Sequence, residues 1–325
     1  MDWAKLTERK AELDGHRPLS ADLVRNLEQW FVVELTYTSN AIEGNTLTRQ
    51  ETAAVVEKGL TVGGKSLVEH LEATNHAGAL QKMLAFSRGR TADLTEREIL
   101  GIHETILRGI DDGNAGRYRS IPVRVSGSRV VFPNPVKVPD LMERLVRDIR
   151  SAENLHPVER AAEAHYRLVT IHPFVDGNGR TARLLMNLVL LQNGYPPALV
   201  RKRDRLRYIQ SLEKAQLGGS KDDCFSLVAA AVERSFDVYR NALFPAEEPR
   251  SGAGAPLRIG ELAKRTGETT ATLRFWTEKG LLEVVETTES GYRLYDPRMT
   301  ERVREIRELQ AERFTLNEIK GKLGR

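Results

Sequence analysis

Apolar residues recur at three-and-four spacing along most of the first 243 positions. "SADLVRNLEQWFVVELTYTSNAIEG", opening at Ser20 as a candidate N-cap, "SLVEHLEATNHAGALQKMLAF", "PDLMERLVRDIRSA", "HPVERAAEAHYRLVTIH", "TARLLMNLVLLQNG" and "RLRYIQSLEKAQ" all carry this period. Each reads as a helix with one buried face. One stretch breaks the rule. "RSIPVRVSGSRVVFP" alternates Val and Ile with polar residues around Ser-Gly-Ser, which predicts a β-hairpin. Residues 244–256, rich in Pro, Gly, Ala and Glu, predict a linker. Beyond them lie a short helix "IGELAKRT", a turn at Gly267, a second helix from Thr269 or Thr270, two β-like runs around Glu-Ser-Gly, and a charged helix with Val303, Ile306 and Leu309 three apart. That is the grammar of a helix-turn-helix with a wing. The expected fold class is mainly α: a helical domain over 1–243 with one β-hairpin, a linker over 244–256, and a small winged helix-turn-helix over 257–325.

Composition narrows this picture only slightly. At 325 residues, 40% hydrophobic and 29% charged, the chain suits two globular domains. A net charge of +4 excludes a polyelectrolyte, so any nucleic-acid surface must be a local patch. The single cysteine, Cys224, has no internal disulfide partner and reads as packing inside "CFSLVAAAVERSF". The chain lacks an apolar run of the ~18 residues a membrane span needs. Its charged start lacks the apolar core of a signal peptide, so a cytoplasmic location is expected.

The densest chemistry lies in "IHPFVDGNGRTARLL", 171–185. A glycine-rich turn leading into a helix start exposes unpaired N–H groups, which with the helix dipole make an anion site. Gly177, Asn178 and Gly179 provide that backbone. Arg180 and Arg183, three apart, add two guanidiniums and suggest more than one phosphate. Asp176 would repel phosphate unless a divalent cation bridged them, which points to Mg²⁺. His172, at the end of an apolar helix, can take a proton from an attacking hydroxyl. Pro173 helps end that helix, and Phe174 and Val175 are expected to anchor the loop to the core. A Walker loop is excluded because Gly-Lys-Ser/Thr is missing. An EF-hand is excluded because Asn187 stands where its glutamate should be. On spacing alone, a glycine-rich turn with incidental charges is the alternative.

"HPFVDGNGRTAR" resembles the active-site motif of Fic-domain proteins without a mismatch, and the resemblance extends over about 20–240. It implies transfer of AMP from ATP to a protein hydroxyl. His172 would be the general base, Asp176 the Mg²⁺ ligand, and Gly177, Asn178 and Gly179 the phosphate cradle. Arg180 would help bind phosphates and Arg183 would clamp the γ-phosphate. Relatives that phosphorylate instead carry lysine where Gly179 stands, so AMP transfer is favoured. The hairpin resembles the family's flap, which implies a target protein docked on 121–133 as an added strand. Tyr208 stands where relatives place a residue near the adenosine; an amphipathic core tyrosine is the alternative. The "RKRDRLR" run at 201–207 reads as a solvated helix face.

Ser39 and Glu43 are four apart and share a helix face, with Gly44 as the C-cap. A glutamate at a helix C-terminus opposes the dipole, so something must offset it or water must solvate it. "SNAIEGN" resembles the family's inhibitory motif, which implies that Glu43 pairs with Arg183 and restrains the enzyme. Positioning a water that removes AMP is another role such a glutamate has in relatives.

"IGELAKRTG", "TLRFWTEKGLL", "SGYRLYD" and "FTLNEIK" resemble the DNA-binding domain of MerR-family regulators. This implies that Thr269 and Thr270 face the major groove while Arg274, Tyr292 and Arg293 contact phosphates. Ala271, Phe275 and Trp276 depart from the usual basic residue and tyrosine pair. Basic residues only slightly outnumber acidic ones here, so salt-sensitive affinity is expected. A two-fold operator would require the N-terminal part to form a homodimer. Alternatives are a regulator whose Fic part senses ATP, and a small interaction domain that does not touch DNA.

Overall fold

The computed structural model describes residues 3–88, 91–244, 256–287, 292–312 and 314–323. The chain divides into two compact units, Met1–Leu243 and Phe244–Arg325. Most of the expected linker and the Glu-Ser-Gly turn of the wing lie outside the described residues.

The first unit contains helices α1 (Ala4–Asp14), α2 (Ala21–Glu43), α3 (Arg49–Lys58), α4 (Leu67–Phe86), α5 (Glu96–Leu107), α6 (Val138–Ser151), α7 (Pro157–Ile171), α8 (Asn178–Gln192), α9 (Arg205–Gln216) and α10 (Asp222–Leu243). Its centre is α8, where Leu184, Leu185, Leu188, Val189 and Leu190 are all essentially buried. A helix apolar on every side belongs in a core. Helices α2, α4, α5 and α7 pack around it, with α7 and α8 forming the closest pair. Local chemistry sets the ends. The Ser20 hydroxyl accepts from the Leu23 amide to start α2, and Ser66 and Glu69 form a capping box at α4. Gly44 ends α2 at φ +108°, a conformation glycine adopts without a Cβ penalty. Cys224 is buried, and burial pushes its thiol up to about 12, as a packing role requires.

The hairpin expectation is corrected. Residues 121–133 turn at Val125–Ser128, where the Ser128 amide reaches the Val125 carbonyl, but the flanks do not pair as strands. The alternation instead has a different use: Val130 is buried while Ile121, Val125 and Val131 face out. Two anchors replace the ladder. Arg119 donates to the carbonyls of Ile121 (3.0 Å) and Pro133 (2.6 Å), closing the base. At the tip, the Ser128 hydroxyl and Arg129 amide both donate to Glu213 of α9.

The second unit contains β1 (Leu257–Arg258), α11 (Ile259–Thr266), α12 (Thr270–Glu278), β2 (Val284–Thr287), β3 (Arg293–Tyr295), α13 (Met299–Ala311) and α14 (Leu316–Leu323). The strands form an antiparallel sheet ordered β1-β3-β2. Sequence patterning missed β1, which is only two residues long. The core joins Leu262, Leu273, Trp276, Tyr295, Val303, Ile306 and Ile319. Trp276 is thus a core residue. Among the described residues, no helix is long and apolar enough to cross a membrane.

Candidate active site and nucleic-acid interface

The loop between α7 and α8 places His172 at the end of α7 in the left-handed region, at φ 51°. This is an uncommon conformation for a non-glycine residue, and strain of this kind clusters at functional sites. Two contacts hold it. Arg119 donates from Nε to the His172 carbonyl at 2.7 Å, and Phe132 stacks on the imidazole with ring centroids 4.0 Å apart. Nδ1 lies 3.2 Å from the Val169 carbonyl; a carbonyl only accepts, so Nδ1 carries the proton and Nε2 offers its lone pair. Burial lowers the His172 pKa to about 4, with the Arg119 charge adding to the effect, so the ring is neutral at pH 7. A neutral imidazole with an open nitrogen can accept a proton.

Below the loop, His103 fills a role that sequence reading missed. Its Nε2 donates to the Asp176 carbonyl at 3.0 Å and its Nδ1 accepts from the Gly116 amide. Its ring stacks on Phe174 at 3.6 Å. Burial lowers its pKa to about 4, which fixes this neutral tautomer. Phe174 anchors the loop as expected, but Val175 is 36% exposed and does not. The Asn178 side chain has a separate use. Both ends of its side-chain amide bind the Phe174 backbone, so only its main chain is left for an anion.

Gly177 precedes α8 at φ +75° with no side-chain cap, so the first N–H groups of α8 lack a capping acceptor. The Glu43 carboxylate lies beside this helix start. A Cβ on Gly179 would meet Glu43 Oε1 at 2.3 Å, so only glycine fits there with the glutamate in place. Glu43 Oε1 accepts from Arg183 at 2.7 Å, while Arg183 also donates to the Ser39 hydroxyl (2.9 Å) and carbonyl (3.0 Å). Burial opposes the Arg183 charge, but Glu43 and Tyr208 outweigh it and hold the guanidinium charged. This pairing, with Arg205 donating to the Ile42 carbonyl, offsets the adverse dipole at the end of α2. The other residues of the 201–207 run do not share that contact; Lys202, Arg203 and Arg207 are exposed. Tyr208 is buried beneath Arg183, its hydroxyl 2.7 Å from His165 Nε2.

Arg180 diverges from Arg183. It donates to Asp176 Oδ2 at 2.9 Å and to Glu72 of α4 at 3.0 Å. The Asp176 side chain is 65% exposed. Among the described residues, no group of three or more His, Cys, Asp or Glu could hold a metal alone. One exposed carboxylate beside an anion site suits a magnesium ion held jointly with phosphate.

In the second unit, Thr269 caps α12 by accepting from the Thr272 amide, and Thr270 is exposed at its first turn. Arg274, Tyr292 and Arg293 line one cleft of about 270 Å³, together with Arg258, Ile259, Glu278 and Tyr295. Arg258 was not expected. It lies over the Tyr292 ring, 5.8 Å from its centroid.

Residues 93–190 match the Fic/DOC family, and residues 257–325 match the MerR HTH family regulatory protein. The solved structure of Fic-1 from C. elegans superposes with a TM-score of 0.66 at 31% identity, covering 75% of this chain and 72% of that one. The chain belongs to the Fic family. A Fic domain containing signaling protein from Bacteroides thetaiotaomicron has the same TM-score at 29% identity, covering 74% of this chain and 97% of that one. The chain is also 38% identical over 237 residues to the protein adenylyltransferase Fic of Nematostella vectensis, covering 72% of this chain. It spans about half the length of the curated relatives it matches, 55% in that case and 49% in Drosophila melanogaster. This protein therefore joins a Fic domain to a MerR-type helix-turn-helix.

Proposed function

We propose that this Fic protein is a self-restrained protein adenylyltransferase with a DNA-binding tail. The observation carrying the proposal is a neutral, open-faced His172 beside a helix-start anion site against which an internal carboxylate, Glu43, already rests. In the reaction, a Ser, Thr or Tyr hydroxyl of a target protein attacks the α-phosphorus of ATP. His172 Nε2 takes the hydroxyl proton, the bond to the β-phosphate breaks, and pyrophosphate leaves. The backbone of Gly177, Asn178 and Gly179 cradles phosphate oxygens, with Arg180 and Arg183 adding charge. Asp176 would hold magnesium, which supplies positive charge to the phosphates. Tyr208 supports Arg183 from below. The extended flanks of 121–133, which carry no strand partner of their own, pair with the target backbone.

Glu43 competes with the γ-phosphate for Arg183 and is held in place with Ser39, so it restrains transfer. In the tail, Thr269 and Thr270 address the major groove while Arg274, Tyr292 and Arg293 bind backbone phosphates. The poised base favours an enzyme over a bare ATP sensor, because sensing requires no base. Incubating the full chain with α-labelled ATP and a lysate of its own source cells tests the reading. Labelled protein is expected from Glu43→Gly and none from Glu43→Gly/His172→Ala. Equal labelling by both variants, or by neither, contradicts it.

A further inference from the structure

The Arg180 guanidinium is held by two carboxylates from different parts of the chain. NH1 donates to Glu72 Oε1 at 3.0 Å, and NH2 donates to Asp176 Oδ2 at 2.9 Å. Its buried Nε has no hydrogen-bond partner, so these two contacts orient the group. The Arg180 side chain is only 3% exposed, which leaves little water to share the charge. Glu72 is itself fixed. Its Oε2 accepts from Asn45 Nδ2 at 2.9 Å, and its carbonyl accepts from Asn40 Nδ2 at 3.1 Å. Asn40 lies on α2, and Asn45 is two residues beyond Glu43. A chain of contacts thus runs from the segment bearing Glu43, through Glu72 and Arg180, to the carboxylate at the anion site.

One positive charge between two carboxylates is divided. Asp176 is the more exposed and Glu72 the more enclosed, at 65% and 19% of the side chain. The enclosed partner is the less screened and so takes the larger share of Arg180. We infer that Glu72 is a positioning residue that draws the charge of Arg180 away from Asp176 and so leaves Asp176 free to meet a divalent cation. The inference rests on the proposed nucleotide site but not on AMP transfer itself. Removing the Glu72 charge without changing its shape leaves Arg180 with Asp176 alone. That ion pair tightens, and a cation must break it to bind.

The test is calorimetric binding of ATP to the full chain carrying Glu43→Gly and His172→Ala, with excess MgCl2 and with EDTA. The parent is expected to bind ATP more tightly with magnesium. Adding Glu72→Gln should reduce that magnesium-dependent gain by ~3–10-fold, the scale of one charged hydrogen bond with partial screening. Affinity in EDTA should hold or tighten. Glu72→Asp, which restores the charge on a shorter arm, should recover part of the gain. A merely structural role predicts that Glu72→Gln weakens both conditions together. That result, or an unchanged magnesium gain, overturns the inference. A parent that binds ATP with a magnesium gain yet labels no protein contradicts AMP transfer while leaving the role of Glu72 standing.

Discussion

The loop at 172–183 and the cleft around Arg274 are both polar, and they handle polarity in opposite ways. At the loop, Arg180 and Arg183 are buried, and each is held by carboxylates from α2, α4 or the loop itself. In the cleft, Arg274, Tyr292 and Arg293 are exposed. A buried charge must be matched by specific partners, because water cannot relieve it. An exposed charge is already solvated, and each one adds little. The first arrangement suits one geometry and one reaction. The second suits a surface that sums many weak phosphate contacts.

That contrast orders the expected effects. His172→Ala should lower transfer by ~10²–10⁴, the usual worth of a positioned base, measured as initial rate of label incorporation in the Glu43→Gly background. Glu43→Gly alone should raise the rate by ~10–100-fold over the unmodified chain, since a charged hydrogen bond of ~1.5–3 kcal/mol no longer occupies Arg183. Arg119→Lys should lower the rate by ~10-fold. Lysine cannot reach the His172, Ile121 and Pro133 carbonyls together, so thermal melting should fall as well. Arg274→Ala should weaken DNA binding only a few-fold and flatten its log-log salt dependence by about one unit in a gel-shift titration. A loss from Arg274→Ala as large as that from His172→Ala would break the comparison, because it would mean one exposed contact carries the interface.

Acid provides a further test. His76, His103, His165 and His172 all have pKa values lowered chiefly by burial, to about 3, 4, 3 and 4. Between those values and the ordinary histidine value of 6.5, the unfolded chain binds protons that the folded chain refuses. Stability is therefore complete above about pH 6.5 and declines as the pH falls toward 4. A urea midpoint that rises on acidification over this range would contradict the buried, neutral assignments. The second unit carries no histidine, so its melting should not share this histidine-driven loss.

Much of this was legible in the sequence because it is local. Helical period, the Ser20 cap, Gly44 and the shared face of Ser39 and Glu43 depend on neighbours a few residues apart. The supports were not legible. Arg119 serves carbonyl groups, which every residue has, so its sequence position gives no sign of its three acceptors. His103 and Glu72 meet the loop across long separations, and a one-dimensional pattern does not show which buried polar residue faces which. The motif position of Asn178 does not show that its side-chain amide braces the Phe174 backbone. The flap misled for a related reason: alternation reports which side chains are buried, and here burial occurs without strand pairing. Arg258 escaped notice because a two-residue strand is too short to show a period.

The proposed place of the Glu43 carboxylate, where a γ-phosphate belongs, is read from the ratio of ATP to ADP affinity, measured by calorimetry with magnesium in the His172→Ala chain with and without Glu43→Gly. Removing Glu43 should tighten ATP by ~10-fold or more and ADP far less, because only ATP brings the third phosphate to Arg183. Equal gains for both nucleotides, or none for ATP, would contradict it.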